Sequence, residues 1–327
     1  MLFYLTLMLS TLISISSNSW LGMWMGLEIN LMSIIPLMNS SKNLMSSESS
    51  IKYFIIQALA SSMLMFAIIY MYDQSYNLLN LNSFIYSTAL LTKMGAAPFH
   101  FWLPEVMEGL NWMNSMILLT WQKLAPMLML IYDINIKFLS IIIIMCMLIS
   151  GIMGINQISM RKIMAYSSIN HMGWMISTIF FIETMWIYYF IIYSIITINL
   201  SLMFMKFNIF YLKQLLTIFK ENILIKLFFI LNFMNLGGLP PFLGFLPKWL
   251  TIQTLIMNKF YILSILMVIL TLLTLYFYMR ITFSTILLSS NEIFFIKSPK
   301  FNIFTMFTFN FISLMSLIFC TMFFNLT

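Results

Sequence analysis

The sequence predicts an all-α polytopic membrane protein with about eleven transmembrane helices, two of them discontinuous, around 93–104 and 237–248. Three observations predict it. First, 62% of the 327 residues are apolar and only 8% are charged, with a mean hydropathy of +0.98. Soluble domains carry about 25% charged residues, and a disordered chain needs low hydrophobicity with high charge. Second, the apolar residues run continuously toward the about 20 residues that a transmembrane helix needs. They do not alternate as the strands of a membrane barrel do. Third, the loop cations sort to one side of the chain's successive crossings, as the positive-inside rule requires.

The elements follow in order. Segments 2–19 and 22–41 open the chain, and the second carries Glu28 in WMGLEINLMSIIP. Segment 51–72 comes next. Segment 82–97 holds Lys93 near its end, in ALLTKMGAAPFHFW. Before Pro98 it has about 16 residues, roughly 24 Å at about 1.5 Å each, which is shorter than a hydrocarbon core of about 30 Å. Segment 112–132 carries Lys123 at its middle, in LTWQKLAPML, and is expected as one continuous span. Segments 138–156, 163–181 and 184–207 follow, with His171 in the middle one beside Ser167, Ser168 and Asn170. Segment 222–247 ends with Gly237, Gly238, Pro240, Pro241, Gly244 and Pro247 close together. Segments 256–287 and 302–325 complete the count. The longest polar connections, 208–221 and 288–301, are too short for a soluble domain. Residues 1–327 therefore read as a single transmembrane domain.

With the N-terminus and even-numbered loops on one side, that side collects eleven cations: Lys42, Lys52, Arg161, Lys162, Lys206, Lys213, Lys220, Lys226, Arg280, Lys297 and Lys300. The other side collects Lys137 and Lys259, with Asp73, Asp133 and Glu183. This places the N-terminus in the matrix and the C-terminus in the intermembrane space. The compartments rest on composition. The 33 Met and 32 Phe against 10 Gly are what an A+T-rich genome encodes, and the Met excess suits a mitochondrial code that reads AUA as Met. The first apolar run has no basic region before it, so no cleavable signal peptide is expected.

Other counts exclude whole chemistries. Two Cys, Cys146 and Cys320, cannot hold a four-Cys iron–sulfur cluster. Two His, His100 and His171, cannot hold two bis-His haems. No phosphate-binding glycine fingerprint is present. The net charge of +7 is spread over short loops, so no nucleic-acid partner is expected.

Four charges remain inside apolar segments: Glu28, Lys93, Lys123 and Lys248. Each costs about 2.5–3.5 kcal/mol at a helix centre, so intramembrane charges are functional candidates by default. A lysine tuned by burial and by a neighbouring carboxylate can accept and release protons. Prolines stand near all three lysines: Pro98 after Lys93, Pro126 after Lys123 and Pro247 beside Lys248. The short segment at Lys93 and the Gly- and Pro-rich one at Lys248 read as broken helices, whose freed backbone groups must line a polar cavity or pack in protein; a kink that only aids packing is the alternative. His100, in PFHFW, has a side chain able to pass protons near neutral pH and to bridge Lys93 to Lys123. His171 is a weaker candidate for the same relay. The alternative for each charge is a snorkelling or structural role, and for each histidine a packing or hydrogen-bonding role. Glu105 and Glu108 read as surface or helix-start charges.

The stretches SNSWLGMWMGLEIN, KMGAAPFHFWLPEVMEGLNWMN, TWQKLAPM, RKIMAYSSINHMGWM and NLGGLPPFLGFLPKW occur in this order. They resemble the chain 2 family of mitochondrial NADH:ubiquinone oxidoreductase (complex I), in an insect or other arthropod form. The resemblance implies an antiporter-like subunit of the membrane arm. Its site residues would be Glu28, its partner Lys93, the central Lys123, Lys248 on the second broken helix, and His100. It also implies that this chain binds no cofactor, while other subunits hold FMN and iron–sulfur clusters and use NADH and ubiquinone. The implied partners are the other membrane-arm subunits, accessory subunits and lipids, cardiolipin among them. A stand-alone cation/proton antiporter is the alternative reading.

Overall fold

The computed structural model describes residues 2–40, 43–72, 79–181, 183–218, 223–240, 242–287 and 311. Its helices are α1 (Leu2–Ser16), α2 (Trp20–Met38), α3 (Leu44–Tyr72), α4 (Leu79–Met94), α5 (Trp102–Gly109), α6 (Trp112–Leu119) and α7 (Leu124–Ile131). There follow α8 (Ile136–Ile155), α9 (Met160–Ile179), α10 (Glu183–Phe207), α11 (Leu212–Ile218), α12 (Ile223–Gly237), α13 (Phe245–Met257) and α14 (Tyr261–Leu287). A 3-10 turn, Trp121–Lys123, joins α6 to α7. Among the described residues there is no strand, only an isolated bridge between Ser159 and Tyr211.

The first ten predicted segments each overlap one or more of these helices. Among the described residues, five helices are long and apolar enough to cross a membrane, by length and composition: residues 20–38, 44–71, 136–155, 184–207 and 261–287. The segment 302–325 lies outside the described residues, as do Lys42, Asp73, Lys220, Glu221, Pro241, Glu292, Lys297, Lys300 and Cys320.

Several boundaries differ from the sequence reading, each for a physical reason. The span expected over 112–132 is not continuous, because Pro126 lacks an N–H and its ring crowds the carbonyl four residues earlier. The chain answers with a tighter turn, in which the Lys123 N–H bonds the Thr120 carbonyl at 3.2 Å. The helix expected over 256–287 starts later, at Tyr261, since α13 runs on to Met257 and Lys259 turns at φ 65°. Lys52 stands within α3 rather than in a loop, and the 208–221 connection contains α11.

The helices cluster into two compact units, 1–146 and 147–327. In the first, α1 packs on α2, α3 on α2, α4 and α5, and α7 on α4 and α1. In the second, α10 meets α9, α12 and α13, while α14 meets α12 and α13. Helix α9 is its core. Every residue from Ile163 to Ile179 is buried, polar ones included, as befits a helix enclosed on all sides.

Candidate functional site

Three helices restart after an interruption, and each restarts in the same way. Pro104, Pro126 and Pro247 are the third residues of α5, α7 and α13. In a first helical turn the missing proline N–H would have no intrahelical partner, so proline fits there and not one turn later. The three buried lysines attend these restarts. Lys93 is the penultimate residue of α4, Lys123 immediately precedes α7, and Lys248 is the fourth residue of α13. They are 8%, 1% and 6% exposed, respectively.

In the first unit, α4 ends at Gly95, whose φ of 73° suits glycine rather than a residue with a Cβ. The Ala97–Pro98 peptide is cis. His100 lies in the following turns, 2% exposed, with Nδ1 3.2 Å from the Pro98 carbonyl and its ring against Phe101. Cys146 of α8 holds this loop. Its Sγ accepts the Ala97 N–H at 3.2 Å and faces the Ala97 carbonyl at 3.7 Å. The Lys123 ammonium lies in electrostatic range of the same thiol.

Lys93 borders a cavity of about 20 Å³, enough for a water molecule, lined by Asn30, Tyr53, Gln57, Gln122 and Pro126 among others. The Gln57 amide donates to the Lys93 carbonyl at 3.1 Å, and the Gln122 amide donates to Asn30 Oδ1 at 2.8 Å. Glu28, half-buried on α2, acts electrostatically on the Lys93 ammonium without a direct ion pair. The structure therefore brings Glu28 and Lys93 together across a gap.

In the second unit, α12 ends at Gly237, and Gly238 turns the chain at φ 76°. Lys248 folds back onto that end. Its Nζ donates to the Gly237 carbonyl at 2.8 Å and reaches the Leu236 carbonyl at 3.4 Å. A cation there meets the negative end of the helix dipole and satisfies carbonyls that the helix leaves open. A Cβ on Gly238 would stand 2.9 Å from Lys248 Cδ and Nζ, so glycine is needed for space as well as for φ. Asn235 Oδ1 accepts the Gly244 N–H at 2.7 Å and closes the loop. The Trp174 ring centroid is 6.0 Å from the ammonium.

His171 is buried on α9. Its Nδ1 is 3.0 Å from the Tyr189 hydroxyl, and the Tyr193 ring lies alongside at 5.0 Å. Ser167 and Ser168 bond carbonyls of their own helix, at 2.7 Å each, and Asn170 reaches Thr274 at 3.2 Å. Tyrosines, rather than neighbours on its own helix, thus supply the contacts of His171 described above. Glu105 stands in the first turn of α5, where a carboxylate suits the helix dipole, and pairs with Lys52 at 2.9 Å.

Sequence reasoning missed Asn30, Gln57, Gln122, Cys146 and Asn235. Their roles depend on partners 9 to 92 positions away in the chain, so no local spacing exposes them. The repeated proline at the third helix position was the one available signal for the break at Lys123. Among the described residues, no group of three His, Cys, Asp or Glu side chains converges as a metal site would.

Comparison with known proteins locates this arrangement. The pattern of the family described as NADH:quinone oxidoreductase/Mrp antiporter, TM, matches residues 17–274. NADH-ubiquinone oxidoreductase chain 2 of Anopheles gambiae is 52% identical over 92% of this chain and 90% of its own length. The chain 2 protein of Aedes aegypti is 49% identical over 98% and 96%. A chain in the structure of respiratory complex I from Thermus thermophilus with bound aureothin superposes with a TM-score of 0.86, at 20% identity. That match covers 96% of this chain and 78% of the other, and it speaks to the fold. The chain belongs to the NADH:quinone oxidoreductase/Mrp antiporter family and, within it, to the NADH-ubiquinone oxidoreductase chain 2 proteins.

Proposed function

We infer that this chain is a membrane-arm subunit of respiratory complex I, the proton-translocating NADH:ubiquinone reductase. In this reading it moves protons across the mitochondrial inner membrane as electrons pass from NADH to ubiquinone in other subunits. The observation that carries the mechanism is the burial of three lysines at three helix restarts, with Glu28 beside the first. A buried ammonium is costly unless its surroundings compensate, so a small change in those surroundings moves its proton. A change at Glu28 and Lys93 starts the cycle. A proton from the matrix loads Lys123 and leaves past Lys248 to the intermembrane space. His100 bridges Lys93 to Lys123, and His171 assists.

The whole of 1–327 works as one antiporter-like domain of about eleven spans, two of them discontinuous, with the N-terminus in the matrix and the C-terminus in the intermembrane space. The chain itself binds no redox cofactor; NADH, FMN, iron–sulfur clusters and ubiquinone belong to other subunits. Its partners are the neighbouring membrane-arm subunits, accessory subunits and lipids such as cardiolipin. The identity to insect chain 2 proteins over nearly the full length supports this reading over that of a stand-alone cation/proton antiporter.

The test is proton uptake per NADH oxidised by the assembled complex in sealed inner-membrane vesicles. Lys123→Met should abolish or sharply reduce pumping. Normal pumping in a normally assembled variant would overturn the relay. Co-purification with NADH dehydrogenase activity decides between the complex I subunit and a free antiporter.

A further inference from the structure

Lys93 and Lys123 stand on different helices, yet the short turn that bears Lys123 also reaches the cavity that Lys93 borders. The 3-10 turn Trp121–Lys123 has three residues per turn, so neighbouring side chains leave it about 120° apart. The Gln122 side chain enters the cavity that Lys93 borders and gives its amide proton to Asn30 Oδ1 at 2.8 Å. Lys123 departs in another direction, within electrostatic range of Cys146, whose thiol holds the Ala97 peptide of the α4–α5 break. Asn30 is 4% exposed and lies on α2, the helix that carries Glu28. The turn itself is a weak place in its helix. Such turns have poorer hydrogen bonds than α-helix and often mark hinges within it. Thr120, which opens the turn, has φ −111° and ψ −74°.

We propose that Gln122 is a positioning residue of the relay, which couples the hydrogen-bond state of the Lys93 cavity to the orientation of the turn bearing Lys123. The inference rests on the relay reading of Lys93 and Lys123. The link is mechanical and needs no proton on Gln122. The amide has donors and an acceptor, so it can hold Asn30 and still answer a change across the cavity. When the contents of the cavity rearrange around Lys93 or Glu28, the amide follows, and the backbone of the turn follows the amide. Tyr53 and Gln57, on α3, also line the cavity and add polar groups to it.

The experiment uses the whole complex in sealed vesicles and reads both NADH oxidation and proton uptake. Gln122→Met keeps the side-chain length and removes the amide. Asn30→Leu breaks the same bond from the other side. Each should assemble, retain ubiquinone reduction and lose part of the proton uptake per NADH oxidised. The double variant should be no worse than the more impaired single one. Should Gln122→Met fail to assemble, Asn30→Leu alone reads the same bond: a lowered ratio supports the proposal and an unchanged one overturns it. Unchanged ratios in both single variants, or losses that add in the double variant as independent effects, also overturn it. Lys123→Met separates the two layers. If it pumps normally, the relay reading itself has failed. If it does not pump while Gln122→Met and Asn30→Leu do, only the coupling through Gln122 has failed.

Discussion

The break between α4 and α5 and the break between α12 and α13 are built from the same parts and hold their lysines differently. Each begins with a glycine at positive φ, Gly95 at 73° and Gly238 at 76°. Each ends with a helix whose third residue is proline, and a buried side chain bonds a backbone N–H of each loop, Cys146 in the first and Asn235 in the second. At the second break the ammonium is bonded by the helix it follows, through the Gly237 and Leu236 carbonyls. At the first, the ammonium borders a cavity and feels Glu28 across a gap. The two lysines therefore have surroundings of different rigidity. A charge bonded by backbone carbonyls has surroundings fixed by the fold, whereas a charge beside a cavity and near a carboxylate has surroundings that change when either does.

Mutations sharpen that contrast, beginning with the largest expected effect. Lys248→Met should hurt assembly as well as pumping, because it leaves carbonyls at the end of α12 buried without a donor, at a cost of about 1–3 kcal/mol each. Lys93→Met should lose pumping while the complex still assembles. Native-gel yield beside proton uptake checks the pair, and equal assembly defects would break the contrast. Gly238→Ala comes next. It incurs about 1–2 kcal/mol for left-handed backbone and also drives a Cβ into the Lys248 side chain. Gly95→Ala has a similar backbone cost but meets Leu103 and Trp102 instead. Thermal inactivation should therefore be similar for the two, with pumping lost in Gly238→Ala alone.

Smaller effects follow at the loop ties. Asn235→Ala removes a 2.7 Å bond to the Gly244 N–H, and Cys146→Ala removes a 3.2 Å bond to the Ala97 N–H. A buried donor left without an acceptor costs about 1–3 kcal/mol. Asn235→Ala should be the worse of the two, since a thiol is the weaker acceptor. Heating of the assembled complex gives the order. Lys52→Gln should do least. Its partners Glu48 and Glu105 are 60% and 57% exposed at their side chains, and water replaces such pairs at little cost. Its melting behaviour should match the parent.

The sequence made the two outer breaks visible because glycine and proline act locally. Pro98 after a short segment, and the cluster from Gly237 to Pro247, act through single residues and show without any partner. The break at Lys123 was hidden. Pro126 sits in the apolar stretch LAPMLMLI, with no glycine beside it, and 112–132 reads as one span. The four buried charges were visible because charge is rare in such a chain. What each lysine touches was not. The amides of Gln57 and Gln122 look like ordinary polar residues until α3 packs on α4 and the 3-10 turn faces α2. Cys146 reads as a small apolar residue until its thiol meets the Ala97 peptide.

The most direct measurement is a map of the assembled complex at a resolution that shows ordered water. Water is expected within hydrogen-bond distance of Lys93 Nζ, in the cavity formed with Asn30, Gln57 and Gln122, together with Lys248 Nζ bonded to the Gly237 carbonyl. A dry cavity beside Lys93, or a Lys248 ammonium swung away from α12 into water, would contradict this expectation.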